Sequence, residues 1–414
     1  MRLSVLFILL FILILIFGID YYAFTGIKSI TAGSPPHWRK IAYAIYGITT
    51  FVSATGFILL FLAFGTSAKW LYLLGSNLLS WTIAFFIGKL IMVLFLFGHD
   101  LFTGIGQLIS SSDSPAPSSA SRRKFISQLG LTIATLPFAS IAYGILKGKY
   151  DYRVRKLEFS HADIPEEFDG FKIVQISDIH SGSFDSQPAV AKGIDMIMEQ
   201  AADIIVFTGD LINRDANEFD LWRDTFAKLS APHGMFSTLG NHDYPGHLPA
   251  AQQSAHLKKV NEHHEYVGFQ LLNNEHVRIQ KGDASFSLIG VENWGEPPFP
   301  QKGDLDRALA GDPDESFRIL LSHDPTHWDH KVLPHEKTIH LTLSGHTHGM
   351  QFGVETKGFK WSPVKYRYPR WADRYDKQGQ TLYVNRGFGF IGFSGRVGIW
   401  PEITLITLRK DRSA

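Results

Sequence analysis

The strongest constraint on what this chain can fold into is where its apolar residues fall. Leu3 to Phe17, Ile41 to Phe64 and Leu71 to Phe97 are long apolar runs, and ordinary mixed sequence follows them. A helix needs about 20 apolar residues to cross a bilayer, and the second and third runs reach that length unaided. The first run continues weakly through Tyr21, Tyr22 and Phe24 with no small-residue cleavage site after it, so it predicts a retained span rather than a removed signal. Tyr43, Tyr46, Trp70 and Trp81 suit interfacial positions. His99 and Asp100 close the third run.

A Ser/Pro-rich stretch, Ser110 to Ser121, reads as a linker, and Arg122-Arg123-Lys124 then introduces a further apolar segment ending at Leu146. Ser121 to Ile126 resembles a twin-arginine export signal placed internally, and reads equally well as the positive-inside anchor of a fourth span. Either reading puts the arginine pair in the cytoplasm and the following domain outside. Lys28, Arg39 and Lys40 agree with that orientation, while Lys147, Lys149, Arg153, Arg155 and Lys156 oppose it. The expected organisation is transmembrane helices over 1–104, a polar linker with the arginine pair over 105–124, an apolar span over 125–147 and a folded domain over 148–414. The expected location is the cell membrane, multi-pass, with that domain extracytoplasmic.

Net charge is +1, so no basic field points to nucleic acid. The chain has no cysteine, which leaves oxygen and nitrogen donors as its metal ligands. In the mixed region, short aliphatic runs repeatedly end in acidic, amide or imidazole residues. Phe171 to Ser177 runs into Asp178-Ile179-His180, and Asp203 to Thr208 into Gly209-Asp210. Met235 to Leu239 runs into Gly240-Asn241-His242-Asp243, where Asp243 is placed to orient the His242 imidazole. Arg318 to Leu321 precedes Ser322-His323-Asp324, and Thr338 to Leu343 precedes Ser344-Gly345-His346-Thr347-His348-Gly349. Helical patterns cover Pro188 to Ala201 and the neighbourhood of Phe219 to Leu229. Each motif alone is as well explained by a capped turn, but strands alternating with helices bring such turns to one edge of an α/β fold. Two imidazoles one residue apart, as in His346 and His348, reach neighbouring cations only if the turn breaks strand alternation.

The ordered set resembles the calcineurin-like metallophosphoesterase family over roughly Phe171 to Thr407, and Asn385-Arg386-Gly387-Phe388-Gly389 with Arg396 to Leu405 resembles its bacterial export-linked branch. That branch includes phosphodiesterases and UDP-diacylglucosamine hydrolases. The resemblance implies an α/β fold, a two-sheet sandwich flanked by helices, here preceded by a helical transmembrane region. It also implies two divalent metal ions (manganese, iron or zinc). Asp178, His180, Asp210 and His348 would hold one, and Asp210, Asn241, His323 and His346 the other. His242 would stabilise the phosphoryl group or protonate the leaving oxygen. Arg386 would contact phosphate or form a structural salt bridge. One departure is Met350, where the branch often has a second glycine.

The implied function is a membrane-anchored phosphoesterase acting on a phosphodiester or pyrophosphate, with lipid-linked substrates among the candidates and no nucleic-acid partner expected. The alternative is a membrane sensor or transporter subunit whose phosphoesterase-like domain only binds a ligand. No implied metal ligand is missing, and Lys89 is the main charge inside the spans, without an evident partner, which favours the enzyme.

Overall fold

The structure, a computed structural model, describes residues 3–63, 69–109, 119–246 and 248–412. Phe64, at the end of the second apolar run, and 110–118, most of the Ser/Pro linker, lie outside the described residues. The chain divides into two compact units, Met1–Ile145 and Leu146–Ala414.

The first unit is helical: α1 (Leu3–Thr31), α2 (Pro36–Ala63), α3 (Lys69–Ile109) and α4 (Ser119–Leu146). Helices are the expected answer to apolar runs this long, because each satisfies its own backbone hydrogen bonds. Among the described residues, two stretches, Leu73–Gly106 and Ala120–Leu146, are long and apolar enough to cross a membrane. Lys89 does have a partner. It forms an ion pair with Asp20, whose Oδ1 and Oδ2 also lie 3.0 Å from Thr50 Oγ1, while Tyr46 donates to the Asp20 carbonyl at 2.6 Å. The sequence did not show this pairing because the two charges meet only when α1 packs on α3. Arg123, from the arginine pair, likewise forms an ion pair with Asp100 and donates to Thr25 Oγ1 at 3.0 Å.

The second unit is a two-sheet sandwich. Its strands in order are β1 (Arg153–His161), β2 (Lys172–Ile176), β3 (Ile204–Phe207), β4 (Met235–Ser237), β5 (Gln270–Leu271), β6 (Glu275–Lys281), β7 (Ala284–Gly290), β8 (Arg318–Leu321), β9 (Leu341–Ser344), β10 (Val354–Thr356), β11 (Phe359–Trp361), β12 (Asp373–Lys377), β13 (Gln380–Val384) and β14 (Glu402–Lys410). One sheet runs β1-β14-β2-β3-β4-β5, the other β12-β13-β9-β8-β7-β6, and β10-β11 form a separate hairpin. Strands β2, β3 and β4 are parallel to one another, as are β7, β8, β9 and β13.

Strand alternation builds the layers. Ile173, Ile204 and Val206 face Phe286, Ile319, Leu341 and Leu343 of the opposite sheet, whereas Val174, Ile205 and Phe207 face outward onto a second core. Helices α5 (Gln187–Met198), α6 (Arg223–Phe226), α7 (Ala250–Val267) and α8 (Leu305–Ala308) complete the second unit. Val190 and Ile194 of α5 and Val260 of α7 cover the outer face of the first sheet. Leu305 and Ala308 of α8, with Trp328, cover the second. The expected helix near Phe219 to Leu229 shrinks to α6 and a preceding 3-10 turn, and α7 went unread because it carries few apolar residues.

Candidate metal centre

The loops leaving the carboxyl ends of β2, β3, β4, β8 and β9 carry Asp178, His180, Asp210, Asn241, His323, His346 and His348 to one place. His348 Nε2 lies 3.1 Å from Asp178 Oδ1, and His180 Nε2 lies 4.0 Å from that oxygen. Asn241 Oδ1 lies 3.2 Å from His323 Nε2 and 2.8 Å from His346 Nδ1. Asp210 joins the two groups: its Oδ2 is 3.4 Å from His180 Nε2 and 3.1 Å from His323 Nε2.

The backbone is distorted to achieve this. Asp178, His180, Asp210, His346 and His348 all have φ between 48° and 73°, in the left-handed region. A non-glycine residue there costs roughly 1–2 kcal/mol, and such strain concentrates where side chains must be aimed. The same distortion is the break in alternation that lets His346 and His348 serve different groups. A Cβ at Gly345 would collide with Ser177 Oγ and Asp178 Oδ2, and one at Gly240 with Asp210 Oδ1, so these turns need glycine for close approach.

The donor set suits divalent cations. Metal–ligand bonds of about 2.0–2.2 Å place neighbouring donor atoms about 3.0–3.4 Å apart, the spacing found around Asp210. Both ring nitrogens of His180 are buried with no hydrogen-bond partner, a costly arrangement for an imidazole that has nothing to bind. His323 donates Nδ1–H to the Thr208 carbonyl at 2.7 Å, which turns its Nε2 toward Asp210. Burial raises the Asp178 and Asp210 pKa values, but neighbouring histidines outweigh it and hold both well below the ordinary carboxylate range. Burial, opposed by Asp210, keeps His180 well below 6.5 and therefore neutral. For His323, Asp210 overcomes burial and pushes the pKa up to about 10, so a proton competes with a cation for Nε2.

His242 sits at the rim, its ring 5.0 Å from that of His180. Its Nδ1–H donates to the Asn213 carbonyl at 2.8 Å. Asp243 does not orient it. The Asp243 carboxylate instead accepts backbone N–H bonds from Asp210, Leu211 and Gly240 at 2.8–2.9 Å, fixing the Asp210 turn. Three further residues were not singled out from sequence. Tyr368 Oη lies 2.7 Å from His346 Nε2, the buried Asp324 Oδ2 lies 3.5 Å from the same nitrogen, and Arg396 Nη2 is 3.1 Å from His348 Nδ1. Asp324 had a signal, its adjacency to His323, and Arg396 opened the last branch-like stretch without a role assigned to it; Tyr368 had none locally.

Arg386 is not brought to the cleft. Its guanidinium is fully buried and pairs with Glu402 at 2.7 Å, Asp373 at 2.7 Å and Glu355 at 2.8 Å. The structural salt bridge, and not the phosphate contact, is what the fold builds. Arg386→Met should therefore destabilise the protein by up to about 3–5 kcal/mol, because it leaves the buried Glu402 carboxylate with only the more distant Arg155 Nε, at 3.5 Å, to balance its charge. Thermal melts of the detergent-solubilised chain would read this; a melt unchanged from the parent would contradict it. A third Asp/His group, His161, Asp163 and His340, lies at the opposite end of β9. There His340 is already occupied by the Arg318 backbone N–H at 2.9 Å and by Asp163 at 3.0 Å.

A two-sheet sandwich with paired Asp/His groups at its strand ends has the donor set of a metal-dependent hydrolase. The comparisons make the family specific. Residues 171–350 match the model of the calcineurin-like phosphoesterase family, and residues 1–149 match that of a probable calcineurin-like phosphoesterase transmembrane domain. The uncharacterized metallophosphoesterase YkuE of Bacillus subtilis is 31% identical over 70% of this chain and 98% of its own length. A transmembrane protein with metallophosphoesterase domain from Danio rerio is 26% identical over 86% of this chain and 77% of its own. The phosphodiesterase YaeI of Escherichia coli is 26% identical over 70% and 99%. The chain belongs to the calcineurin-like metallophosphoesterase family. It is a membrane protein and a metal-dependent phosphoesterase.

Proposed function

We propose that this protein is a multi-pass, membrane-anchored dinuclear phosphoesterase that hydrolyses a phosphodiester or pyrophosphate presented on a lipid. The observation that carries the reading is the single Asp210 Oδ2 shared by two complete Asp/His groups. Asp178, His180 and His348 would hold one cation, Asn241, His323 and His346 the other, and Asp210 both. Two such cations, when bound, neutralise phosphoryl oxygens and lower the pKa of water. The protein's own part is to fix the ligands by backbone strain and buried hydrogen bonds. His242 delivers or receives a proton at Nε2, because its Nδ1 is committed to the Asn213 carbonyl. The intact ligand set disfavours a non-catalytic sensor.

The lipid part of the reading is supported by the membrane region and the diester part by the name of the Escherichia coli relative. A manganese-, iron- or zinc-loaded sample should hydrolyse a phospholipid diester or a lipid pyrophosphate in mixed micelles faster than its soluble headgroup analogue. A preference for the soluble analogue would remove the lipid from the proposal.

The reading also places the catalytic unit outside the cytoplasm. Single cysteines at Ser114, which lies outside the described residues, and at Asp215 can be introduced without background thiols. In intact cells, with any outer membrane permeabilised, a membrane-impermeant maleimide should label position 215 and spare 114. The reverse pattern would put the catalytic unit in the cytoplasm.

A further inference from the structure

The hairpin just after the His346 and His348 turn is inside out. Val354 pairs with Trp361, Glu355 with Lys360 and Thr356 with Phe359. Successive residues of a strand face opposite ways, so Val354, Thr356, Phe359 and Trp361 share one face and Glu355 and Lys360 the other. The charged face is the one turned inward. Glu355 receives Arg386 at 2.8 Å and Arg155 at 2.7 Å, and Lys360 meets Asp373 at 2.9 Å. The apolar face looks out: Val354 is 50% and Phe359 57% exposed. Two turns continue this surface. Met350 is 58% and Tyr366 77% exposed, and Ser362 Oγ ties the turns together through the Gly349 carbonyl at 2.7 Å. Met350 also has φ 55°, a conformation that favours glycine, yet it carries a large apolar side chain into solvent. Elsewhere among the described residues of this unit, Leu146 at its start, Leu221 and Tyr266 are the large apolar side chains with comparable exposure, and they do not belong to this surface.

The buried Arg386 accounts for the inward Glu355, but folding gives no reason to turn the apolar residues out, and exposed apolar patches of this kind mark an interaction surface. Its composition points to one occupant. Phe359, Trp361 and Tyr366 are bordered by Lys357 and Lys365, both exposed, and aromatics rimmed by cations are the signature of a bilayer interface bearing anionic headgroups. The chain is itself a membrane protein, so a bilayer is part of its surroundings. We propose that the β10–β11 hairpin, with the Met350 and Tyr366 turns, is a lip that enters the headgroup region of the host bilayer, with Lys357 and Lys365 drawn to anionic lipid. The proposal rests on membrane anchoring and not on the identity of the substrate.

The absence of cysteine makes a direct test available. Phe359→Cys and, as control, Asp283→Cys in the exposed β6–β7 turn would each be labelled with bimane in the full chain. Both would be reconstituted in phosphatidylcholine vesicles with about 30% phosphatidylglycerol and a lipid nitroxide near the headgroup. The label at 359 should be quenched about twofold or more beyond that at 283 and shifted to the blue. Adding Lys357→Glu and Lys365→Glu should reduce the excess in these vesicles but not in pure phosphatidylcholine. Equal quenching at the two positions would overturn the proposal. So would disulfide-linked pairs formed through position 359 without lipid quenching, which would make the surface a contact between copies. Unchanged hydrolysis of a soluble model diester by both labelled variants would confirm that each is folded.

Discussion

Asp210→Asn is expected to lower kcat/KM by about a thousandfold or more, since in the proposed dinuclear site several kcal/mol of charge stabilisation by two cations would depend on this one bridging ligand. The substitution is clean in one respect. Asp210 has φ 63°, and asparagine is among the few residues that accept the left-handed region, so the turn itself is not penalised. The Asp243 carboxylate that caps the Asp210 and Leu211 N–H groups also remains. What changes is the charge of the group whose Oδ2 faces both His180 and His323. Elemental analysis should show both metals weakened together. His348→Ala, which of the two Asp/His groups touches that of Asp178, should cost less and spare the second metal. If Asp210→Asn kept both metals and fell no further than His348→Ala, the bridging role would be wrong.

The parts of this protein that could be read from sequence are those made by neighbours in the chain. An aliphatic strand followed by a glycine turn and a polar donor is a local pattern. Parallel strands bring such donors to a common edge, and the blocks ending in Asp178, Asp210, Asn241, His323 and His346 were therefore visible before any coordinates. What was hidden depends on partners far apart. Arg386 draws its carboxylates from β10, β12 and β14, and no local signal distinguishes that from a phosphate ligand. Asp20 and Lys89 lie on different helices, so the ion pair that links them could not be read from either run alone. Asp243 was misassigned because adjacency suggested a His–Asp pair, whereas the tight 3-10 turn over Asn241–Asp243 sends its carboxylate back to the Asp210 backbone. The hairpin's outward apolar face was equally invisible, since alternation says that two faces differ but not which one is covered.

His242→Ala should separate chemistry from metal binding. The side chain is hydrogen-bonded to the Asn213 carbonyl and meets the His180 ring edge-on at 5.0 Å, and its ring is only partly buried, so its removal leaves the hydrogen bonds that aim the metal groups in place. Metal content and thermal stability are therefore expected to match the parent protein. Turnover should fall by about 10²–10⁴-fold, the range for losing a positioned proton donor. Because Nδ1–H is held by the Asn213 carbonyl, Nε2 is the nitrogen that would serve the leaving oxygen in the proposed role. A good leaving group such as a nitrophenolate needs little protonation, whereas an alkoxide depends on it. The measured loss should therefore grow as the leaving-group pKa rises across a series of aryl and alkyl phosphodiesters. A uniform loss across that series, with metal retained, would assign His242 to stabilising phosphoryl charge instead. A loss of metal would place it among the ligands.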